Sequence, residues 1–226
     1  SSLDRSSAAS DVYKRQELHD AYKSILEALI HGATKNDVKA NIKWIDTEDL
    51  EAVENVDSFF SDVHGILIPG GFGDRGNEGK VLSSKYAREN KIPFLGICLG
   101  MQCAVIDFAR NICEMKNANS TEFDKNTEYP VIDIMLNQKN ISDMGDTMRL
   151  GSFACDINSD SILYDLYNTP TIEERHRHRY EFNNNILEEI QTRGLKIAGI
   201  NKKLNLVEAI ETVSYTHLTL PTSDLV

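Results

Sequence analysis

The stretch PFLGICLGMQ, residues 93–102, sets one cysteine between two glycines where an apolar run gives way to a helical pattern. Gly96, Cys98 and Gly100 form Gly-x-Cys-x-Gly, the cysteine counterpart of the nucleophile elbow, a tight strand-to-helix turn that holds its nucleophile strained and exposed. Small residues on both sides let the backbone bend that sharply. The helix that follows, GMQCAVIDFARNI, aims its unsatisfied N–H groups and its dipole at the sulfur, which favours thiolate. The backbone N–H of Leu99 then faces a developing oxyanion. The local pattern equally permits a plain buried cysteine at a strand–helix junction, since free cysteine is among the most buried residue types.

Outward from this elbow, apolar runs of strand length alternate with amphipathic segments of helix length, the pattern of an α/β domain with a mainly parallel central sheet. AYKSILEALIHGA sets Tyr22, Ile25, Leu26 and Leu29 on one helical stripe, and VKANIKWI alternates as a strand does. GILIP at 65–69 reads as a buried strand, 78–90 as a polar-faced helix, and IPFLGI as the strand feeding the elbow. Beyond the elbow helix, YPVIDIM, GLKIAGI and LNLVEAI read as strands, with helices at 161–167 and 186–193.

The 226 residues are 41% hydrophobic, enough to bury one core. Acidic residues outnumber basic ones by 35 to 24, and the resulting net charge of −11 repels phosphate backbones and anionic lipid. Nucleic acid and membrane are therefore not expected partners. Cys98, Cys103, Cys113 and Cys155 have neither the paired spacing of a zinc site nor the density of a disulfide scaffold, so reduced cytoplasmic thiols and no metal site are expected. No apolar stretch approaches the roughly 20 residues that span a bilayer.

The two ends read differently from the rest. A single DNA stretch can encode SSAASDVYKRQ (6–16), and its reverse complement, read one base out of register, encodes VSYTHLTLPT (213–222). That pairing resembles a transposase-based sequencing adapter, and coincidence over so many codons is very improbable. Residues 1–16 and 212–226 are accordingly expected to be non-native, with the domain itself at 17–211 and cut at both ends.

A second glycine cluster, PGGFGDRGNEGK, contains Gly71, Gly73 and Gly76 in a literal Gly-x-Gly-x-x-Gly. It lacks the acidic residue that a dinucleotide site needs about 20 positions on, where FLGI stands instead. A Walker loop also fails, because Asp74 occupies the place of its first glycine and Val81 follows Lys80. Two readings remain: a turn-rich loop, or a backbone that brings N–H groups to a substrate carbonyl as the second half of an oxyanion hole. A cysteine nucleophile also needs a base or counter-cation. In ERHRHRYE, strand spacing puts His176 and His178 on one face and Arg175, Arg177 and Arg179 on the other. Neighbouring guanidinium charge lowers a histidine pKa, which suits a neutral base without proving one; a solvated charged strand is the alternative.

Taken together, PGGFGDRG, FLGICLGMQ, NANSTEF, MGDTMRLG and PTIEERHRHRYEFNN resemble the glutamine amidotransferase domain of the CTP synthase family, over nearly all of 17–211. The resemblance implies a three-layer, flavodoxin-like class I glutaminase fold, here incomplete at both ends. It implies a preceding amidoligase domain that uses ATP and magnesium to activate UTP, GTP as effector, and a homotetramer. No cofactor is implied within this domain. It implies that Cys98 attacks the amide of L-glutamine and carries a glutamyl thioester, with the backbone N–H groups of Gly71 and Leu99 as oxyanion hole. Gly100, Met101 and Gln102 are implied at the substrate, Glu122 on its α-ammonium and Arg179 on its α-carboxylate.

In that family the base is a histidine in an FHPEF-like segment after the strand written here as LVEAIE, oriented by the glutamate two residues on. No such segment is present in this sequence. The first strand, the amidoligase domain and much of the loop between Met135 and Asp143 are also missing relative to the family pattern. The polypeptide as written is therefore expected to be nearly inactive. Two alternatives stand beside this: a non-catalytic glutaminase-like binding module, and another cysteine hydrolase of the same fold using His176 or His178 as base.

Overall fold

The computed structural model of the chain describes residues 22–71, 75–134, 148–212 and the backbone of 217–220. Contacts divide the chain into a unit of residues 1–44 with 224–226 and a unit of residues 45–223. The expected adapter-like segment 1–16, most of 212–226, and the loop from Met135 to Asp143 lie outside the described residues.

In the first unit the predicted stripe forms helix α1, Lys23–Lys35, with Ile25 buried, and the Tyr22 and Trp44 rings approach to 6.0 Å. The expected strand at VKANIKWI does not form: residues 38–45 carry no regular structure. Alternation makes a strand only where another strand offers a hydrogen-bond ladder, and no described strand pairs with this segment.

The larger unit begins with α2 (Thr47–Glu51), started by the Asp46 carboxylate accepting from the Glu48 N–H, and α3 (Asp57–Phe60). Then come β1 (Ile66–Ile68), α4 (Asn77–Asn90), β2 (Phe94–Ile97) and the elbow helix α5 (Leu99–Asn111). They are followed by β3 (Ala118–Ser120), β4 (Tyr129–Ile134), β5 (Arg149–Ile157), α6 (Ile162–Tyr167), β6 (Thr171–His178) and β7 (Tyr180–Phe182). A 3-10 turn at Asn184–Ile186 leads into α7 (Leu187–Thr192), and β8 (Leu195–Asn201), β9 (Leu206–Thr212) and β10 (His217–Leu220) complete the order.

The main sheet runs β1-β2-β10-β9-β8-β5-β6, and β3-β4-β7 form a smaller one. The α/β class is as expected, but the sheet is not mainly parallel. Among the described residues of that sheet, β1–β2 and β2–β10 pair in parallel, whereas β10–β9, β9–β8, β8–β5 and β5–β6 are antiparallel. Connection length explains the change. A parallel pair needs a crossover long enough for a helix, which α4 supplies between β1 and β2, whereas β9 returns along β8 after the turn at 202–205.

Helix α5 is the hub. Its buried face, including Leu99, Met101, Val105, Ile106 and Phe108, packs in one cluster with Val131 and Ile132 of β4, Phe182 of β7 and Val207 and Ile210 of β9. On its other side Asp107 accepts two bonds from Arg88 of α4, at 2.9 and 3.0 Å, and one from Asn111 at 2.8 Å. Burial raises the Asp107 pKa, with Arg88 and Asn111 opposing the rise. Asp107→Ala would strand a mostly buried guanidinium against α5, and a loss of about 3 kcal/mol in urea unfolding is expected. A loss within about 1 kcal/mol would mean that the pair behaves as a surface ion pair.

Candidate active site

The elbow is built by backbone contact. A Cβ at Gly96 would lie 2.6 Å from the Gly100 carbonyl carbon, and one at Gly100 would lie 2.3 Å from the Ile68 carbonyl oxygen. Side chains at either position would push α5 off β1 and β2, so both glycines are sterically required. Between them Cys98 takes φ 55°, ψ −106°, a conformation that costs a residue with a Cβ about 1–3 kcal/mol. Cys98 is the N-cap of α5, its carbonyl accepting from the Gln102 N–H at 3.2 Å. The first N–H groups of α5, Leu99 among them, therefore have no partner within the helix.

One expectation fails here: the residue is buried, at 5% exposure, rather than displayed. Neighbours close on it from both sides. A Cβ at Gly70 would come within 3.3 Å of the Cys98 Cβ and 3.8 Å of Sγ, and one at Gly71 within 3.4 Å of the Leu99 side chain. Gly70 and Gly71 thus lie directly against the elbow; Gly73 falls outside the described residues.

On the remaining side His178 Nε2 sits 3.1 Å from Cys98 Sγ. Strand β6 delivers it as the spacing predicts, with His176 and His178 buried and Arg175 and Arg177 exposed. Arg179 lies half-buried at the bend between β6 and β7, so strand alternation no longer governs its direction. Glu122 is half-buried just after β3, its N–H donating to Ser120 Oγ at 3.1 Å. Both act on the phenol of Tyr180, whose pKa is raised by burial and then by Glu122, with Arg179 opposing. The Gln102 amide donates to the Tyr180 carbonyl at 3.0 Å. Gln102, Glu122 and Arg179 thus share Tyr180 as a neighbour, while Cys98 and His178 are joined by their own 3.1 Å contact. Gly100 faces β1 instead, and the Met101 side chain is buried in the core cluster.

Behind His178 lies a charged cluster that sequence reasoning missed. Arg149 of β5 stands opposite His178 in register. Its Nε donates to Glu181 at 2.9 Å, its terminal nitrogens to both oxygens of Glu208 at 2.5 and 2.9 Å, and one of them to His176 Nδ1 at 2.8 Å. Glu181 Oε2 is 3.6 Å from His178 Nδ1, an ion-pair separation. Glu208, in the apolar run LVEAI, was the available signal, because a lone carboxylate at a core position of a strand requires a buried cation.

The pKa values of the two histidines are driven in opposite directions. Burial, Arg149 and His178 push His176 down to about 3. Burial lowers His178 as well, but the contact with Cys98 and the nearby Glu181 carboxylate outweigh that and raise it to about 10. Burial takes the Cys103 and Cys155 thiols up to about 12 and Cys113 to about 11. Among the described residues no group of three or more His, Cys, Asp or Glu is placed to hold a metal, and no helix is long and apolar enough to cross a membrane.

The family described as glutamine amidotransferase class-I matches residues 17–218. CTP synthase of Clostridium acetobutylicum is 55% identical over 200 residues, covering 88% of this chain and 37% of that protein. CTP synthase of Methanocaldococcus jannaschii is 54% identical over 205 residues, covering 88% and 38%. The chain thus spans a little over a third of these relatives. The glutaminase domain of Trypanosoma brucei CTPS, solved with bound acivicin, superposes at a TM-score of 0.84 with 36% identity, covering 92% of this chain and 81% of that one. A Thermotoga maritima glutamine amidotransferase at TM-score 0.55 and 14% identity shares the fold.

A histidine kept neutral in the fold binds fewer protons than its unfolded counterpart between about pH 3 and the ordinary histidine value of about 6.5. Stability therefore falls as pH drops through that window. His176→Gln keeps an acceptor for Arg149 without a titrating group. Its urea midpoint, relative to the unmutated chain, should rise as the pH is lowered from about 7 to about 4; parallel pH dependences would mean that His176 is not held neutral.

Proposed function

This chain belongs to the class-I glutamine amidotransferase family, and from that premise we propose that it hydrolyses the side-chain amide of L-glutamine through a thioester on Cys98, as the ammonia-releasing part of a CTP synthase. The observation that carries the reading is the strained Cys98 at the head of α5 with a histidine nitrogen 3.1 Å from its sulfur. The sulfur's electron pair forms a bond to the amide carbon while the carbonyl electrons move to oxygen. In this reading the N–H groups of Leu99 and Gly71, both beside the elbow, would receive that charge, and such a donor is worth about 100-fold or more in rate. Collapse re-forms the carbonyl and breaks the C–N bond, the departing nitrogen takes a proton, and water then releases glutamate and restores the thiol. Glu122 on the α-ammonium and Arg179 on the α-carboxylate would fix the amino acid by its two charges.

Within the longer protein, the ammonia would reach UTP activated by ATP and magnesium on an amidoligase domain, with GTP as effector, in a cytoplasmic homotetramer. The base in this reading is the family's downstream histidine, and the sequence contains no FHPEF-like segment. The 226-residue chain is therefore expected to release ammonia from glutamine several orders of magnitude more slowly than the same chain with that segment supplied.

A second reading takes its support from the same 3.1 Å contact: a hydrolase that uses His178 as base and accepts other amides, peptides or esters. A substrate panel separates the two, because only this reading expects turnover without glutamine, lost in Cys98→Ser. For the first reading, glutamine should slow iodoacetamide labelling of Cys98, and Glu122→Gln or Arg179→Met should raise the protecting concentration by about tenfold or more. Labelling that ignores glutamine would sink it.

A further inference from the structure

The cluster around His178 does not balance in charge without it. Both oxygens of Glu208 accept from Arg149, which is carboxylate geometry, and Glu181 accepts from the same guanidinium. Two carboxylates against one guanidinium leave one negative charge in a place where Arg149, Glu181 and Glu208 are each 5% exposed or less. Such a charge is costly unless a cation stands beside it. His176 cannot supply that cation, because its Nδ1 accepts from Arg149 and must keep its lone pair. His178 can: its buried Nδ1 makes no hydrogen bond and lies 3.6 Å from the Glu181 carboxylate, an ion-pair separation, while Nε2 lies 3.1 Å from the sulfur.

We propose that His178 is the resident counter-cation of Cys98, held as imidazolium by Glu181, with Arg149 and Glu208 fixing Glu181 in place. The step is a proton transfer: the S–H bond of Cys98 breaks, the proton binds His178 Nε2, and the electron pair stays on sulfur, so the carboxylates are matched by the imidazolium and the one remaining negative charge sits on sulfur at the head of α5. His178 touches the reacting atom and is catalytic in that sense; Glu181 and Arg149 are positioning residues. This deepens the reading of Cys98 as nucleophile and rests on it. It gives His178 the Cys98 proton in the resting state and confines the downstream histidine to the later steps, protonation of the departing nitrogen and activation of the water. The charged and titratable groups facing His178 are Cys98 from the elbow, Arg149 from β5, His176 from β6, Glu181 from β7 and Glu208 from β9.

The test is the pH profile of Cys98 alkylation by iodoacetamide, with the adduct located by peptide mass spectrometry. The three remaining cysteines, Cys103, Cys113 and Cys155, are buried. Near pH 6 the unmutated chain should react about tenfold faster than His178→Gln, with Glu181→Gln between them, and all three should converge near about pH 10, where a thiol ionises unaided. Superimposable profiles for the chain and His178→Gln would overturn the proposal, and a Glu181→Gln profile equal to that of the unmutated chain would overturn the part given to Glu181. Should the variants fail to fold, the 15N shifts of the His178 ring in the unmutated chain decide. A charged ring near about pH 8, well above the ordinary histidine value, supports the ion pair, and a neutral one removes it. Profiles that separate while glutamine gives no protection would support the ion pair and sink the glutaminase reading instead.

Discussion

Everything at this site depends on how closely the start of α5 approaches the β1–β2 pair. The Gly96 α-carbon meets the Gly100 carbonyl group, and the Gly100 α-carbon meets the Ile68 carbonyl, at separations where no Cβ fits. Cys98 is the residue caught between those contacts, and its φ of 55° follows from having to turn a strand into a helix in so little space. Packing of α5 elsewhere holds the bend closed: the apolar face against β4, β7 and β9, and Asp107 against Arg88. The core therefore stabilises the helix and, through it, offsets the strain at the cysteine. This is why the cysteine can sit at a conformation that it would not choose alone.

The same geometry sets one thiol apart from three others. Cys103, Cys113 and Cys155 lie in apolar surroundings where burial penalises the charged form and keeps the proton on sulfur. Cys98 is also buried, but its burial includes a histidine nitrogen at 3.1 Å and the head of a helix. Low exposure thus means something different at each position. What separates them is whether the charge that would form has a partner inside the fold.

The elbow was legible because its chemistry is local: three glycine and cysteine positions, an apolar run before and an amphipathic helix after. The strands and helices of the larger unit were likewise readable from period. The parallel sheet was not, because direction of pairing depends on connection length and on which strands meet, and apolar periodicity is the same in either direction. The strand expected at VKANIKWI shows the same weakness, since alternation says nothing about the presence of a ladder partner. Strand β5 passed unnoticed: RLGSFACDI carries Gly151, Ser152 and Asp156 among its apolar residues, and its order comes from pairing with β6 and β8.

The histidines show most sharply what a sequence withholds. Alternation placed His176 and His178 on one face, and the structure agrees, yet two positions apart on that face their surroundings push their pKa values in opposite directions. Nothing in ERHRHRYE distinguishes them. The difference is made by Arg149, 27 residues before His176, which donates to one ring and, through Glu181, sets a carboxylate against the other. The arginines written beside the histidines are on the wrong face to do this, and the guanidinium that matters arrives across the β5–β6 ladder. Protonation at such a site is a property of register: slipping β5 by one residue would turn Arg149 to the far face and take the charge away from both rings at once.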